Sequence, residues 1–336
     1  MKKLTTTLLI CGLFAGSVYG YGPVGHGLVG AIADKRLATN PTINAKVSAF
    51  LDGLTLERAA TLADEIKTDD PDGFRMPSNP TIEVQLRAFV EANTKPTHRD
   101  FHFTDVAVLG DEKYADGKVG REPFDIVQMI PFCIRVLKGA EPETNDRAIT
   151  KTVAVILLSH YLGDIHQPLH VGAEYFNSRG KPFEPTETNP GFSDQGGNKL
   201  TLFLLIKGKA KRDSAKSLHA YWDTPSVKTA LENTTVALLA QRLANSRPPN
   251  VKLNGAAETW AEQMANEIMP IAREAHARLA FTLVKSKPGA KFITSGRATE
   301  KKTSGLSYKN FAGVTAKNEI QKAGWRLAAV LEDALK

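Results

Sequence analysis

Apolar residues recur at helical spacing through most of the chain. Leu28, Val29, Ile32, Ala33 and Leu37 follow the turn-rich stretch 21–26 and predict a helix. Asn40-Pro41 reads as an N-cap with proline in the first turn. It opens a helix that carries Val47, Phe50 and Leu51 and stops at Gly53. Thr55 caps the next, which holds Leu56, Ala59, Ala60, Ala63 and Ile66, with Asp64 inside it. The pattern then lapses. Residues 69–73 (Asp-Asp-Pro-Asp-Gly) read as a loop, and Pro77, Pro80 and Pro96 predict irregular chain up to the stretch 99–105. Residues 123–137 predict a helix ended at Gly139. Residues 146–165 predict a long buried one, because Ile149, Val153, Val155, Ile156, Leu157 and Leu158 leave little polar face.

Residues 172–197 are rich in Gly, Pro, Asn and Ser and read as a loop. Residues 198–206 alternate as a strand, and Gly208 marks a hairpin turn. Helical patterns return at 213–222, 226–243 and 255–285, the last kinked at Pro270. Residues 286–309 are polar, basic and without periodicity, and 319–335 close the chain as an amphipathic helix. There is no internal repeat and no linker between two cores. The expectation is a mainly α protein: one helical domain, residues 21–336, with a small β-hairpin.

Composition narrows the class. The chain has 336 residues, 42% hydrophobic and 24% charged, enough for a sizeable core. The net charge of +7 falls to +5 without Lys2 and Lys3, and no long run of one sign appears, so charge alone does not argue for nucleic acid. Residues 1–20 read as a secretory signal, with Lys2 and Lys3 ahead of a short apolar core at 8–15, too short to span a bilayer. Cleavage would make Tyr21 the first residue and leave Cys133 as the only cysteine. A disulfide-free exported protein fits a periplasm or culture medium, with stability drawn from the core and from bound metal.

The chemistry concentrates in residues 159–170 (Ser-His-Tyr-Leu-Gly-Asp-Ile-His-Gln-Pro-Leu-His). His160 and Asp164 are four apart, which puts them on one face of a helix. Pro168 ends or bends that helix and lets His170 turn back to the same place. Imidazole and carboxylate in this pattern suit Zn²⁺. A capped core helix that happens to carry histidines would look the same, so a second pair matters. His219 and Asp223 repeat the spacing in a chain with only 8 His, and two such pairs point to a shared site.

In order, Tyr21, His26, Asp64, His102, His160, Asp164, His170, His219 and Asp223 form a series that resembles the zinc-dependent type I single-strand nucleases (the S-one/P-one group), relatives of the trinuclear-zinc phospholipases C. The motifs that carry the resemblance are Gly25-His26, Leu62-Ala63-Asp64, His102-Phe103-Thr104-Asp105, His160-x₃-Asp164-Ile165-x-Gln167-Pro168-Leu169-His170, Gly196-Gly197-Asn198 and His219-x₂-Trp222-Asp223. They run from residue 21 to the closing Ala323-Gly324-Trp325-Arg326-Leu327-Ala328. The resemblance implies three Zn²⁺. One is held by Asp64, His102, His160 and Asp164, a second by His170, His219 and Asp223. The third is held by His26, Asp164 and the amine and carbonyl of Tyr21, where the family commonly has Trp.

It further implies hydrolysis of single-stranded DNA, RNA and nucleotides to 5′-phosphate products. Asp64 and Lys67 would act on the nucleophile and the phosphate, and Phe103, Asp105 and Asn198 would hold the nucleotide. Base stacking needs an unpaired base, which gives single-strand preference a physical cause. A phospholipase C on the same cluster is the alternative, although that relative uses Glu where this chain has Asp223. An exported zinc-binding protein without catalysis is a second alternative. The expected state is a periplasmic or extracellular monomer with no stable protein partner, and a loop at 172–195 longer than the family's. His98, His166 and His276 are expected to hold no metal.

Overall fold

Helix starts follow the capping chemistry of the sequence. Asn40, Thr55, Asp125, Thr150, Ser217, Thr235 and Ser307 each accept a hydrogen bond from a backbone N–H in the turn that follows. The structure, a computed structural model, describes residues 21–67 and 73–336. The expected signal segment 1–20 and residues 69–72 of the expected loop lie outside the described residues. In chain order the helices are α1 (Gly22–Leu37), α2 (Pro41–Phe50), α3 (Leu56–Glu65), α4 (Pro80–Ala92), α5 (Ile126–Lys138), α6 (Lys151–Asp164), α7 (Leu218–Asp223), α8 (Pro225–Ala230), α9 (Val236–Asn245), α10 (Trp260–Ala277) and α11 (Tyr308–Ala334). The strands are β1 (Val106–Ala107), β2 (Gly172–Ala173), β3 (Tyr175–Phe176), β4 (Phe192–Ser193), β5 (Leu200–Ile206), β6 (Lys209–Arg212), β7 (Leu279–Ser286) and β8 (Ile293–Glu300). The fold is mainly α, as the periodicity predicts.

Several boundaries differ from expectation for identifiable reasons. Pro80 does not break the chain. It sits in the first turn of α4, where its missing N–H has no helical partner to lose. Residues 146–150 are not helical. Asn145 Oδ1 takes the N–H groups of Arg147 and Ile149 into a turn, and α6 begins only behind Thr150. Glu232 and Asn233, both at positive φ, separate α8 from α9 where one helix was expected. The long helix expected at 255–285 occupies 260–277, runs through Pro270, and gives way to β7.

The expected hairpin is half of a larger sheet. β5 and β6 pair antiparallel around Gly208, as expected. β5 also pairs parallel with β8, and β8 antiparallel with β7, giving the order β6-β5-β8-β7. The stretch 286–309 therefore holds a strand and the start of α11.

α6 is buried on every side and forms the axis of the main core. α1, α3, α5 and α11 pack on it or on one another. Gly30 brings α1 against α3, since a Cβ there would lie 2.2 Å from Leu56 O. Asp34 of α1 then accepts the Leu56 and Glu57 N–H groups at 2.9 and 3.0 Å, so α1 caps α3 across the contact. Truncating a core residue such as Leu157 to Ala would cost about 2–5 kcal/mol. A second core lies between the sheet and α7, where Leu200, Leu202 and Leu204 meet Leu218, Tyr221 and Trp222. Trp222 Nε1 donates to Tyr308 OH at 3.0 Å, which ties α7 to α11. Among the described residues no helix is long and apolar enough to cross a membrane. Cys133 is buried and unpaired, and burial pushes its thiol pKa up.

Candidate metal centre

The elements just described deliver eight chemistry-bearing side chains to one buried place. α6 presents His160 and Asp164, one turn apart on the same face. The chain leaves α6 through Gln167 and a 3₁₀ turn, Pro168–His170, which folds His170 back. α1 brings His26, the end of α3 brings Asp64, and a 3₁₀ turn, His98–His102, brings His102. α7 brings His219 and Asp223. All eight are buried. Gly163 makes room for this. A Cβ there would lie 2.7 Å from His26 Nδ1, so only glycine lets the His26 ring lie against α6.

Asp164 is the hub. Its Oδ1 lies 3.3 Å from His26 Nε2 and 3.6 Å from His170 Nδ1, and its Oδ2 lies 2.8 Å from His102 Nδ1 and 3.0 Å from His160 Nε2. Asp64 Oδ1 is 3.5 Å from His160 Nε2, and His219 Nε2 is 3.6 Å from Asp223 Oδ2. Three groups bring their ligand atoms within 4.8 Å of one another: His26, Asp64 and His160; His102, His160 and Asp164; and His170, His219 and Asp223. His160 belongs to two of them and has one Nε2 to give. The last group coincides with the second zinc set that the resemblance implies. The first two divide the side chains of its other two sets differently, by sharing His160 rather than Asp164.

The hydrogen bonding tests whether a cation fits. His160, His170 and His219 each turn Nδ1 to a backbone carbonyl, of Ala60, His102 and Gly196, at 2.7, 2.8 and 2.8 Å. That fixes the tautomer with the proton on Nδ1 and leaves a lone pair on Nε2. Those three Nε2 atoms, both ring nitrogens of His26, Asp64 Oδ2 and Asp164 Oδ1 are buried with no hydrogen-bond partner. Buried polar atoms are normally satisfied, and so many orphans aimed at one spot are what ligand atoms look like without their ion. Gln167 supplies the outer support. Its Nε2 donates to Asp223 Oδ1 at 2.8 Å and its Oε1 accepts from Leu169 N.

The electrostatics agree. Burial lowers the pKa of His26 and His170, holds that of His102 well below the ordinary imidazole value, and takes His219 to about 3; all four are then neutral, the ligating form, at pH 7. Burial acts against His160 too, but the Asp164 and Asp64 carboxylates outweigh it and raise its pKa. Burial likewise opposes ionisation of Asp64, yet Lys67, His160 and His26 bring it down to about 2. Asp223 shows the unmet need. Burial holds it well above the carboxylate range against a single Gln167 hydrogen bond, and a divalent cation at His170, His219 and Asp223 would reverse that.

The sequence model of the family described as S1/P1 Nuclease matches residues 21–336. The chain belongs to the S1/P1 nuclease family. Shorter alignments relate it to three curated proteins of Arabidopsis thaliana. It is 36% identical to Endonuclease 1 over 26% of this chain, 30% identical to Endonuclease 4 over 33%, and 33% identical to Endonuclease 3 over 24%. These matches span 21%, 30% and 19% of the respective relatives.

The remaining expected residues of this S1/P1-family chain surround the cluster unevenly. Lys67, just beyond α3, puts Nζ 2.7 Å from Asp64 Oδ1. Phe103 follows His102 and is half-buried; among the described residues it stays out of the ring contacts that join Phe89, Phe101 and Phe124. Asp105 is largely buried and receives Ser193 Oγ at 3.4 Å. Burial, with Asp194 nearby, raises its pKa to about 7. Asn198 serves its own turn, donating Nδ2–H to Gln195 O at 2.9 Å. The Tyr21 carbonyl accepts Gly25 N at 3.2 Å and its hydroxyl donates to His166 O at 2.7 Å, while Gly22 packs on the Asp223 backbone.

His166 and His276 stand apart from the cluster. His166 Nδ1 meets Leu162 O and its Nε2 lies 2.9 Å from an Arg326 nitrogen. His276 lies 3.3 Å from Asp194, whose backbone N–H bonds Glu174 O. Asp194, Ser193 and Glu174 sit in the stretch read as a plain loop. Nothing periodic marks them there, so the network under Asp105 was invisible. Gln167 was in view as part of a motif, but its bond to Asp223 was not.

Proposed function

We propose that the chain is a zinc-dependent phosphodiesterase that hydrolyses single-stranded DNA and RNA to 5′-phosphate products and also takes 3′-nucleotides. The observation that carries this reading is the set of orphaned Nε2 and carboxylate atoms converging beside Lys67 and a half-buried Phe103. Asp64, His102, His160 and Asp164 would hold one zinc, and His170, His219 and Asp223 a second. His26, Asp164 and the amine and carbonyl of Tyr21 would hold the third. Zinc in these sites supplies Lewis acidity and lowers the pKa of water to about 7, so that a nucleophile exists at neutral pH.

The protein's own groups do the rest. Asp64, kept ionised, orients the attacking water and takes its proton. Lys67 leaves the Asp64 carboxylate for a phosphate oxygen, binding it as a point charge rather than a planar fork. Phe103 stacks on a base, worth about 1–3 kcal/mol without regard to sequence, and Asp105 meets the base edge. A duplex cannot offer that face, which accounts for single-strand preference. Asn198 shapes the rim through its turn. Export through residues 1–20 would expose the Tyr21 amine to the third zinc and release the protein to the periplasm or medium.

The test is direct. Purified protein is incubated with single-stranded DNA, RNA and phosphatidylcholine, with EDTA and again after zinc is restored. Zinc-restored cleavage of the nucleic acids is expected. Hydrolysis of phosphatidylcholine alone, or of nothing at full zinc occupancy, would defeat the proposal.

A further inference from the structure

The sheet behind α7 has one packed face and one open face. On β5, Leu200, Leu202 and Leu204 are buried, while Thr201, Phe203 and Leu205 alternate to the other side and are half-exposed. Pairing decides what stands beside them. Arg297 lies across from Thr201 and Arg212 across from Phe203. The Arg297 guanidinium carbon sits 3.6 Å from the centre of the Phe203 ring. Lys199 continues the open face at the start of β5, and Lys285 faces Ser295 across the β7–β8 pair; both are exposed.

Charge is concentrated here. Residues 199–212 and 279–300 hold nine lysines and arginines against one acid, Glu300. That excess is larger than the +7 of the whole chain, so the remainder of the protein is slightly acidic. Glu300 is spent on the backbone N–H groups of Leu205 and Tyr308. Lysines on an edge strand deter strand pairing between molecules, which accounts for Lys209 and Lys211 on β6. It does not account for Lys199 at the foot of β5, for Arg297 on the inner strand β8, or for a guanidinium set against an aromatic ring.

The open face begins at the rim of the metal centre. Lys199 follows the Gly196–Asn198 turn, whose Gly196 carbonyl holds His219. The β7–β8 turn is tied to the same rim, since Ser193 donates its N–H to Lys291 O at 3.1 Å and its hydroxyl to Asp105. From that rim β5 runs on for about 20 Å, at roughly 3.3 Å per residue.

We infer that the open face of the β5–β8 sheet is a second, non-catalytic binding surface for single-stranded nucleic acid. Phosphates lie on Lys199, Lys285 and Arg212, and a base stacks at the Phe203–Arg297 pair. The inference rests on the nucleic-acid reading of the metal centre and adds to it a reason for preferring polymers to short substrates.

The zinc-loaded enzyme is compared with its Lys199→Gln/Lys285→Gln/Arg212→Gln variant on a dinucleotide and on a single strand of roughly 30 nucleotides. The variant's KM for the long strand should rise about tenfold at low salt with kcat unchanged, and the slope of log(1/KM) against log salt should flatten by about 2, near 0.7 per charge removed. Its kcat/KM on the dinucleotide should not change. Phe203→Leu should raise the long-strand KM severalfold without altering the salt slope. An unchanged KM and slope in the triple variant, or equal losses on both substrates, overturns the inference. So does variant-sensitive binding to phosphatidylglycerol–phosphatidylcholine vesicles with an unchanged long-strand KM, which would assign the face to lipid. If the wild-type protein cleaves neither substrate, the nuclease reading has failed separately. Fluorescence anisotropy with a labelled strand then decides this one, and equal affinity of wild type and triple variant overturns it.

Discussion

His26 and His160 lie ring on ring, their centroids 3.7 Å apart and their planes 13° from parallel, each with Nε2 buried and unpaired. Two stacked imidazoles cannot both be positively charged at that distance without mutual repulsion, and burial disfavours charge on either. Their lone pairs are turned to Asp164 and Asp64 at 3.0 to 3.5 Å, which are contacts a cation would convert into bonds. The geometry of this pair depends on one missing methyl group, that of Gly163.

Gly163→Ala is therefore expected to harm the centre from behind. Its Cβ would meet His26 Nδ1 at 2.7 Å, among fully buried neighbours. Overpacking of this kind costs about 1–3 kcal/mol. Zinc content should fall together with the melting temperature, by metal analysis and calorimetry on the same sample. A variant that keeps full zinc would show that His26 can move without consequence.

Asp164→Asn removes the hub. Asp164 stands between four histidines, and a neutral amide cannot balance the charge of a metal ion. Both zinc content and cleavage of single-stranded DNA should collapse. Full activity at wild-type zinc would remove Asp164 from the centre.

Gln167→Leu separates outer support from the ligands. It leaves Asp223 in place but takes away the hydrogen bond that aims it. Loss of such a partner lowers metal affinity about 10–100-fold. Competition against a chelator should show this loss for one zinc, with the others unchanged.

What could be read in advance, and what could not, divides by the range of the interaction involved. The caps at Asn40 and Thr55, the stop at Gly139 and the pairs His160/Asp164 and His219/Asp223 are local and were legible. The sequence of β7 predicts helix because strand identity there comes from pairing with β8, not from its own alternation, which breaks at Leu283 with positive φ. α4 is hidden from the apolar pattern because Pro80 looks like a breaker, whereas its place in the first turn makes it a starter. α11 begins at Tyr308, behind the Ser307 cap and well before the apolar pattern becomes strong. At the centre, the ligand types were visible, but not the three carbonyls that set the tautomers, since any residue can supply a carbonyl.

Asp105 gives a pH prediction. Its pKa is raised from 3.8 to about 7 by burial, with Asp194 adding to the effect. Unfolding exposes a carboxyl that ionises near 4, so between about pH 4 and pH 7 the folded state holds the extra proton. The stability tied to that proton is complete below about pH 4 and is lost as pH rises through 7. Asp105→Asn carries no such proton. The difference in melting temperature between variant and wild type should shift in favour of the variant as pH rises from 4 to 8. The metal ligands are the same in both, so their titration cancels. A difference independent of pH would mean that Asp105 is ionised throughout.

The last prediction separates the two ends of Tyr21. Its hydroxyl donates to His166 O at 2.7 Å, in a buried place where His166 also meets Arg326. Tyr21→Phe removes that bond and leaves a buried carbonyl with one partner fewer, at a cost of about 1–3 kcal/mol. The backbone at Tyr21 is untouched, so zinc content should not change. Adding one Ala before Tyr21 in the processed protein does the opposite. The hydroxyl keeps its bond, but the amine proposed for the third zinc becomes an amide and cannot ligate. His26 and Asp164 remain, so occupancy of that site should drop without unfolding. If that zinc steadies the leaving oxygen, kcat should fall more than KM rises. Metal analysis, melting curves and kinetics on the three forms give a crossed result: Tyr21→Phe loses stability and keeps zinc, and the extended form loses zinc and keeps most of its stability. Equal zinc and equal kcat in the extended and processed forms would take the terminal amine out of the mechanism.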